Sequence, residues 1–578
     1  MATEICGGAN SAAPVNFCGR LTSVGQRDSR RQTSRKSARN FRRAVLRAHE
    51  LKTSVSPSEI AGSQSPIAKF GYRLSTIGHR FLAWVGRHPL AILVLPSVWF
   101  FAFYLPFWKD VDVLDELVWG FTEMNVLLAP PLYCVLGRIP FWIADTLLHG
   151  SSPSILSPQH PSLAAVYFLI LCQHVGLWFS LRYFVYSLPT SESGRGGITL
   201  LLASIASFYA FAHTAGPEST IAISWFCLFG VGLRILGGAS SWKKWLLYFL
   251  ILLFSIGSRH ISGFLLGWLP TTAFVLAVLR FYRAGSYRWQ NAFPMARIAG
   301  IALGLSILCL LTEQSFVTAM CNHFGIVQRR TMGRTLSDRI GSYLDSLNPE
   351  DKERTAQRAA SFTNDSDVKA AVGAFKDIGT YHKGTDEFIA QLLRRRGLSS
   401  EPLEVERDRV TFEGVMCYYR TLDPKLIQII LQDIGRGFYP TNDQGIAITG
   451  AKATFDSLGP MREDPASWKG LEGLHIFDPA VAQATLDRAF HDIFIRHWRF
   501  LPVGAWSLLF LVVGSWRLAR DRFSVELALV SLCIFGIGLV TYSANCVCNY
   551  SMPRYVLPLL VTVFAAGAIC LVAQKSES

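Results

Sequence analysis

The sequence predicts an all-α polytopic membrane protein: about ten transmembrane helices, with a mainly helical extracytoplasmic domain inserted between the seventh and the eighth. Three observations carry this expectation. The 578-residue chain is 50% hydrophobic and only 17% charged, against about 25% charged in ordinary soluble domains. Its apolar residues gather into runs of the length a bilayer crossing needs, about 20 residues. Its formal net charge of +15 is confined to particular stretches rather than spread along the chain. A soluble enzyme, a disulfide scaffold and a simple nucleic-acid binder are thereby excluded.

Residues 1–87 hold 15 Lys and Arg against four acids, Glu4, Asp28, Glu50 and Glu59, and so supply 11 of the 15 net charges. Rich in Ser, Arg and Gly and without a sustained apolar period, this segment reads as a basic, largely disordered cytoplasmic arm. It lacks the short apolar core and cleavage site of a secretory signal. Its arginines are read as a solvated topology anchor, with anionic-lipid or nucleic-acid binding by Arg30 to Arg47 as the other reading, and no nucleic-acid partner is expected.

Ten apolar stretches qualify as spans: 89–108, 163–184, 198–212, 220–236, 242–256, 262–281, 297–316, 500–516, 523–542 and 555–574. One more, 127–148, is interrupted by Pro130, Pro131, Arg138 and Pro140. The excess of Lys and Arg in cytoplasmic loops decides whether it crosses. If it does not, the loops with Arg182 and Arg195, Lys243 and Lys244, Arg280 to Arg297, and Arg517 to Arg522 all face the cytoplasm. A crossing at 127–148 would turn the basic loops between Arg182 and Arg297 outward. The stretch is therefore expected to lie in the outer interface, kinked at its prolines, with both chain ends inside.

The membrane part then comprises residues 88–316 and 500–578, and the insert, residues 317–499, falls outside. Its charges nearly cancel, as in a folded domain. Asn348-Pro349, Asp423-Pro424 and Asp478-Pro479 each set a capping side chain before a proline at the first helical position. Apolar residues recur at helical spacing in 426–434 and 480–498.

Several motifs emerge on the outer side. The first outer loop carries Asp110, Asp112, Asp115 and Glu116, four carboxylates within seven residues. A carboxylate held at a membrane boundary serves as a general base on a hydroxyl or binds a divalent cation. The other reading of these acids is a solvated loop. Asn125 to Tyr133 leads through Pro-Pro-Leu-Tyr into the interfacial stretch. His213 to Glu218 precedes the fourth span, Arg259-His260 lies between the fifth and sixth, and Arg554-Tyr555 opens the last. Taken singly, Arg259 and Arg554 are interfacial anchors and Glu218 is a carboxylate favoured by a helix N-terminus. Taken together, they put carboxylates and guanidiniums on one face. Arg pairs bidentately with phosphate oxygens, so the set suits a phosphate-bearing lipid.

This arrangement resembles the GT-C superfamily of membrane glycosyltransferases, which includes the protein O-mannosyltransferases and the lipid A aminoarabinose transferase. The resemblance rests on the acidic first outer loop, the Pro-Pro-Leu-Tyr133 element, the acid at Pro217-Glu218 and the Arg554-Tyr555 pair, and covers about two thirds of the chain. It implies a polyprenyl-phosphate-linked sugar as donor, with a first-loop Asp as base or metal ligand. Carried over, Asp112 or Asp115 is the base, Arg259 or Arg554 meets the donor phosphate, and Glu116, Glu218, His260 and Tyr555 complete the substrate site. The acceptor implied is a hydroxyl on a glycan, lipid or protein. No cofactor is called for beyond a divalent cation at the acids, which would add Lewis-acid assistance. The insert matches no domain of that family.

Other chemistry is not evident. The sequence has no Walker loop, dinucleotide fingerprint or nucleophile elbow, and Cys546-Val-Cys548 is not a zinc signature. Cys321, Cys417, Cys546 and Cys548 fall outside, where a disulfide is permitted. Two sequons, at Asn364 and Asn549, matter in a eukaryotic host. The expected location is a bacterial inner membrane, with the endoplasmic reticulum as the alternative. The rival functional classes are a transporter or lipid flippase and a non-catalytic scaffold.

Overall fold

A computed structural model describes residues 66–103, 107–108, 126–127, 130–150, 163–238, 241–283, 288–328, 332–379, 384–438, 503–548 and 556–574. The expectations for the arm before residue 66, the acidic loop, Asp478-Pro479, the helix over 480–498 and Arg554-Tyr555 lie outside the described residues. The chain divides into two units, Met1–Gly78 and His79–Ser578. Of the first, only the start of helix α1 (Pro66–Arg87) is described.

The second unit is helical almost throughout. The first expected span is two short helices, α2 (Pro89–Leu93) and α3 (Leu95–Phe103). The segments Thr76–Arg87 and Pro89–Ala102 meet at 91°. Helix α3 stops ahead of Pro106, whose ring disfavours helix in the residue before it. Trp108, expected at the end of the span, instead lies in strand β1 (Phe107–Trp108). After β2 (Val126–Leu127) comes α4 (Leu132–His149), a helix that continues through Pro140 and closes on left-handed Gly150. Helix α5 (Leu163–Ser187) follows as expected.

The expected third span is broken. Helix α6 (Glu192–Ala203) and helix α7 (Ala206–Ala212) are bent by 60° at Ser204 and Ile205. The Ser204 hydroxyl donates back to the Leu201 carbonyl at 2.7 Å, the local competition that bends apolar helices. Strand β3 (Thr214–Ala215) leads into α8 (Glu218–Leu236), which is buried along nearly its whole length. Next come α9 (Trp242–Ser258), a 3-10 segment over His260–Gly267, and α10 (Trp268–Arg283). Helix α11 (Arg288–Phe324) runs for 37 residues, about 55 Å, well beyond the expected 297–316.

Among the described residues five helices are long and apolar enough to cross a bilayer, or up to seven when each bent pair is taken as one span. Leu303, Ile307, Leu308 and Leu311 on α11, and Phe274 and Val278 on α10, are exposed. A girdle of exposed apolar side chains is what lipid-facing helices present. The chain is thus an all-α membrane protein. Helix α8 forms the centre of the bundle, and its glycines permit close approach: a methyl group at Gly232 would collide with the Trp268 ring.

Beyond β4 (Val327–Gln328) the described part of the insert, up to Phe438, is a helical domain: α12 (Met332–Asp345), α13 (Pro349–Ala360), α14 (Ser366–Asp377), α15 (Thr385–Arg394), α16 (Ser400–Arg420) and α17 (Pro424–Phe438). The Asn348 side chain accepts from the Asp351 N–H at 2.8 Å and Asp423 accepts from Lys425 at 2.8 Å, as the cap signals require. Val368, Phe375, Ile389, Val410 and Tyr418 fill its core. Cys321, Cys417, Cys546 and Cys548 keep free thiols. The chain closes with α18 (Val503–Ala519), α19 (Val525–Cys548) and α20 (Leu557–Val572). Within the helical domain a buried pair joins Arg339 on α12 to Asp433 on α17 at 2.7 Å, and the domain is tied to α19 by the Tyr542 hydroxyl donating to the Asp433 carbonyl at 2.8 Å.

At the partly exposed rim of the helical domain, Arg409 joins three acids: Asp365 at 3.0 Å, Glu406 at 2.7 Å and Glu413 at 2.9 Å. Burial works against the Asp365 charge, but the Arg409 bond and the backbone N–H groups of Asp367 and Val368 outweigh it and hold the carboxyl below its usual range. The Arg409 bond likewise holds Glu406 down. Depressed carboxyls stabilise the fold above their unfolded values, about 3.9 and 4.3, and that contribution is lost as pH falls through the folded ones. Exposure keeps each pair to about 1 kcal/mol or less. Arg409→Ala is therefore expected to lower the stability of α14–α16 slightly at neutral pH and to flatten its acid dependence below about pH 5. Hydrogen exchange of these helices in the intact protein against pH checks this; an unchanged acid limb in the variant contradicts it.

Candidate functional site

Three of the singled-out segments converge in the membrane bundle. The chain between α7 and α8 leaves helical structure, so the last carbonyls of α7 need partners away from water. Gln173 on α5 supplies them. Its Nε2 donates to the Ala212 carbonyl at 3.0 Å and the Thr214 carbonyl at 2.9 Å. Its Oε1 accepts from the Tyr133 hydroxyl at 3.0 Å and the Ser219 hydroxyl at 2.8 Å. Both donors and both acceptor positions of the amide are used. Tyr133 is the tyrosine of the Pro-Pro-Leu-Tyr element, and Ser219 follows Glu218.

Glu218 opens α8 behind Pro217. Its Oε1 pairs with Nη2 of Arg259, the residue that ends α9 in an extended conformation. The Glu218 side chain is 2% exposed and that of Arg259 18%, so each charge is kept largely from water by the other. The carboxylate also sits where the N-terminal dipole of α8 favours it. His260, next in sequence, is exposed. Two expected site residues, Glu218 and Arg259, thus meet directly, and His260 lies at their edge.

Beside this cluster runs a second chain of polar groups. Trp178 Nε1 donates to Ser97 Oγ at 2.7 Å, Ser97 Oγ lies 2.7 Å from His174 Nδ1, and His174 Nε2 lies 3.2 Å from His213 Nδ1. Two proton assignments serve these contacts: Ser97 donates to His174 and His174 to His213, or His213 donates to His174 and His174 to Ser97. Phe101 packs on both imidazoles, with ring centroids 5.0 Å and 5.1 Å away.

Gln173 stands ten residues beyond Leu163, the start of α5, about 15 Å along the helix. Glu218 is level with it through Ser219. A two-residue parallel pairing sets Phe107 against Thr214 and Trp108 against Ala215. The chain therefore enters the acidic loop alongside the segment that leads into Glu218. A second pairing joins Val126 and Leu127 to Val327 and Gln328, at the entrance to the helical domain.

Asp112, Asp115, Glu116, Arg554 and Tyr555 lie outside the described residues. Among the described residues no group of three or more His, Cys, Asp or Glu could hold a metal ion; the cation expectation concerns the first-loop acids alone. Sequence reasoning missed Gln173, His174 and Ser97, and took Arg138 only as an interruption of an apolar stretch; all four are buried. The usable signal was the pair Gln173-His174 within an apolar run, since ionisable and strongly polar side chains inside a bilayer are costly and mark function.

Fold and site together define a multi-pass helical membrane protein with a buried acid–guanidinium pair. No family model and no curated protein matches the chain.

Removing one partner of a buried pair leaves an uncompensated charge, at a cost of about 3–5 kcal/mol. Glu218→Ala and Arg259→Ala are each expected to lower the thermal midpoint of the detergent-solubilised protein. The double variant should lose less than the sum of the two, because the surviving charge goes with its partner. Additive losses in this cycle would show that the pair does not couple.

Proposed function

We propose that the protein is an integral membrane glycosyltransferase of the GT-C type. It moves a sugar from a polyprenyl-phosphate-linked donor to a hydroxyl of a glycan, lipid or protein. The observation that carries this reading is the meeting of Tyr133, Glu218 and Arg259, from three separate motifs, in one buried cluster. The pairing of Trp108 with Ala215 supports it. Asp112 and Asp115 stand four and seven residues beyond Trp108, a chain reach of at most about 14 and 25 Å. The membrane topology proposed is ten spans with both ends in the cytoplasm and the helical domain outside, in a bacterial inner membrane.

In this mechanism Asp112 or Asp115 takes the proton of the acceptor hydroxyl as its oxygen bonds to the anomeric carbon of the sugar. The bond from that carbon to the phosphate oxygen breaks, its electron pair leaves with the polyprenyl phosphate, and the configuration inverts. Arg259 and Arg554 stabilise the charge that gathers on the leaving phosphate. Glu218 positions Arg259 by holding one of its terminal nitrogens, leaving other guanidinium N–H groups for the donor. Glu116, His260 and Tyr555 line the substrate. A divalent cation bound by the first-loop acids would add Lewis-acid assistance on the phosphate.

One set of observations favours a second reading, transport. A helix broken by 60° between α6 and α7, and a buried His174–His213 contact, are the kind of features that line ion and proton paths.

Transfer of sugar from a polyprenyl-phosphate donor to cell-envelope acceptors, by the purified protein in vesicles, separates the two. Asp112→Ala or Asp115→Ala, whichever is the base, is expected to slow transfer by about 100- to 10 000-fold, and Arg259→Ala to slow it as well. Full activity in both aspartate variants sinks the base assignment. Proton-coupled flux with no glycosylated product favours transport.

A further inference from the structure

We propose that the groove between α5, α8 and α9 binds an anionic phospholipid, with its phosphate against Arg182 and Arg234 and one acyl chain along the groove. This site is independent of the glycosyl-transfer reading. Arg234 lies sixteen residues along α8 from Glu218, about 24 Å away.

The groove encloses about 510 Å³ and is lined along its length by Phe179, Ile223, Leu247, Ile251 and Phe254. From Gly176 to Tyr186, both on its wall, α5 advances about 15 Å. Arg182, Arg234, Tyr183 and Tyr186 mark the end where α5 and α8 finish and α9 begins. The Arg234 guanidinium lies 4.5 Å from the centre of the Tyr183 ring, and its Nε donates to Ser187 Oγ at 2.9 Å. Arg182 and Arg195 each lie 5.4 Å from the centre of the Tyr186 ring.

Three guanidiniums thus gather about two tyrosines. Among the described residues no carboxylate pairs with any of them, and Glu192, the acid nearest Arg195 in sequence, pairs with Arg87 at 3.6 Å. The Nε of Arg195 is buried without a hydrogen-bond partner. Cations held together without a counter-ion repel one another, and a phosphate relieves that repulsion. A free phosphate would satisfy the arginines and leave the apolar groove empty. A phospholipid satisfies both, and basic pockets between membrane helices on the cytoplasmic side suit anionic headgroups. The cytoplasm is the side to which the basic loops assign Arg182 and Arg195.

The test is native mass spectrometry of the full-length protein released from phosphatidylcholine nanodiscs with or without phosphatidylglycerol. Wild-type protein is expected to retain phosphatidylglycerol selectively. Retention should fall about fivefold for each arginine removed in Arg182→Gln and Arg234→Gln, while the double variant Arg182→Lys, Arg234→Lys keeps most of the selectivity. Equal retention of the two lipids, or selectivity unchanged in the double Gln variant, overturns the proposal. So does displacement of the lipid by soluble glycerol phosphate, which would make the arginines a site for free phosphate. If the Gln variants fail to fold, the selectivity of the double Lys variant decides: its loss contradicts a charge-based headgroup site.

Discussion

The amide of Gln173 is the contact on which the centre of the bundle depends. Inside a bilayer a chain leaves helical structure only where something other than water takes up its backbone groups. Between α7 and α8 the chain does leave it, and the carbonyls of Ala212 and Thr214 both turn to Gln173. The same amide takes the hydroxyls of Tyr133 and Ser219. One side chain therefore joins α4, α5, the end of α7 and the start of α8. Without it the two buried carbonyls would lose their amide donor, at about 1–3 kcal/mol each, whereas the Ser219 hydroxyl also reaches the Gly216 carbonyl at 2.9 Å. The starting point of α8, and with it the depth of Glu218, follows from this requirement.

Glu218 then determines where α9 can end. A carboxylate 2% exposed at this depth needs a counter-charge, and Arg259 is the residue at which α9 stops. Its extended backbone directs the chain away from the axis of α9, and the 3-10 segment over His260–Gly267 carries it to Trp268. That ring lies on Gly232 of α8, so the turn that begins at the ion pair returns to the same helix about three-quarters of the way along. The polar cluster and the apolar packing of α8 are two ends of one arrangement.

Much of this was legible in the sequence where local chemistry is strong. The caps at Asn348 and Asp423, the opening of α8 behind Pro217, and the apolar runs of α5 and α8 all appear where the residues imply. The break at Ser204 and Ile205 was not legible, because residues 198–212 stay apolar across it and hydropathy does not register direction. The length of α11 was missed for a related reason: the helix extends beyond the apolar run at both ends, through polar residues such as Gln290, Asn291 and Asn322. Gln173 and His174 were hidden inside an apolar average. Their partners come from stretches about 40 residues away in each direction, a separation that no local pattern reports.

Charge placement on α8 follows one rule and produces two different outcomes. Glu218 stands in its first turn and Arg234 in its last, each at the end where the helix dipole favours its sign. At the first turn the charge is closed internally: Arg259 arrives from α9 and the pair is sealed by the surrounding polar network. At the last turn Arg182, on the wall of the same groove, has the same sign as Arg234, and the aromatic faces of Tyr183 and Tyr186 give only partial relief. A protein that needed only to neutralise its helix ends would have put an acid there. The asymmetry is better explained by a bundle that closes one end upon itself and leaves the other to be neutralised by the membrane around it.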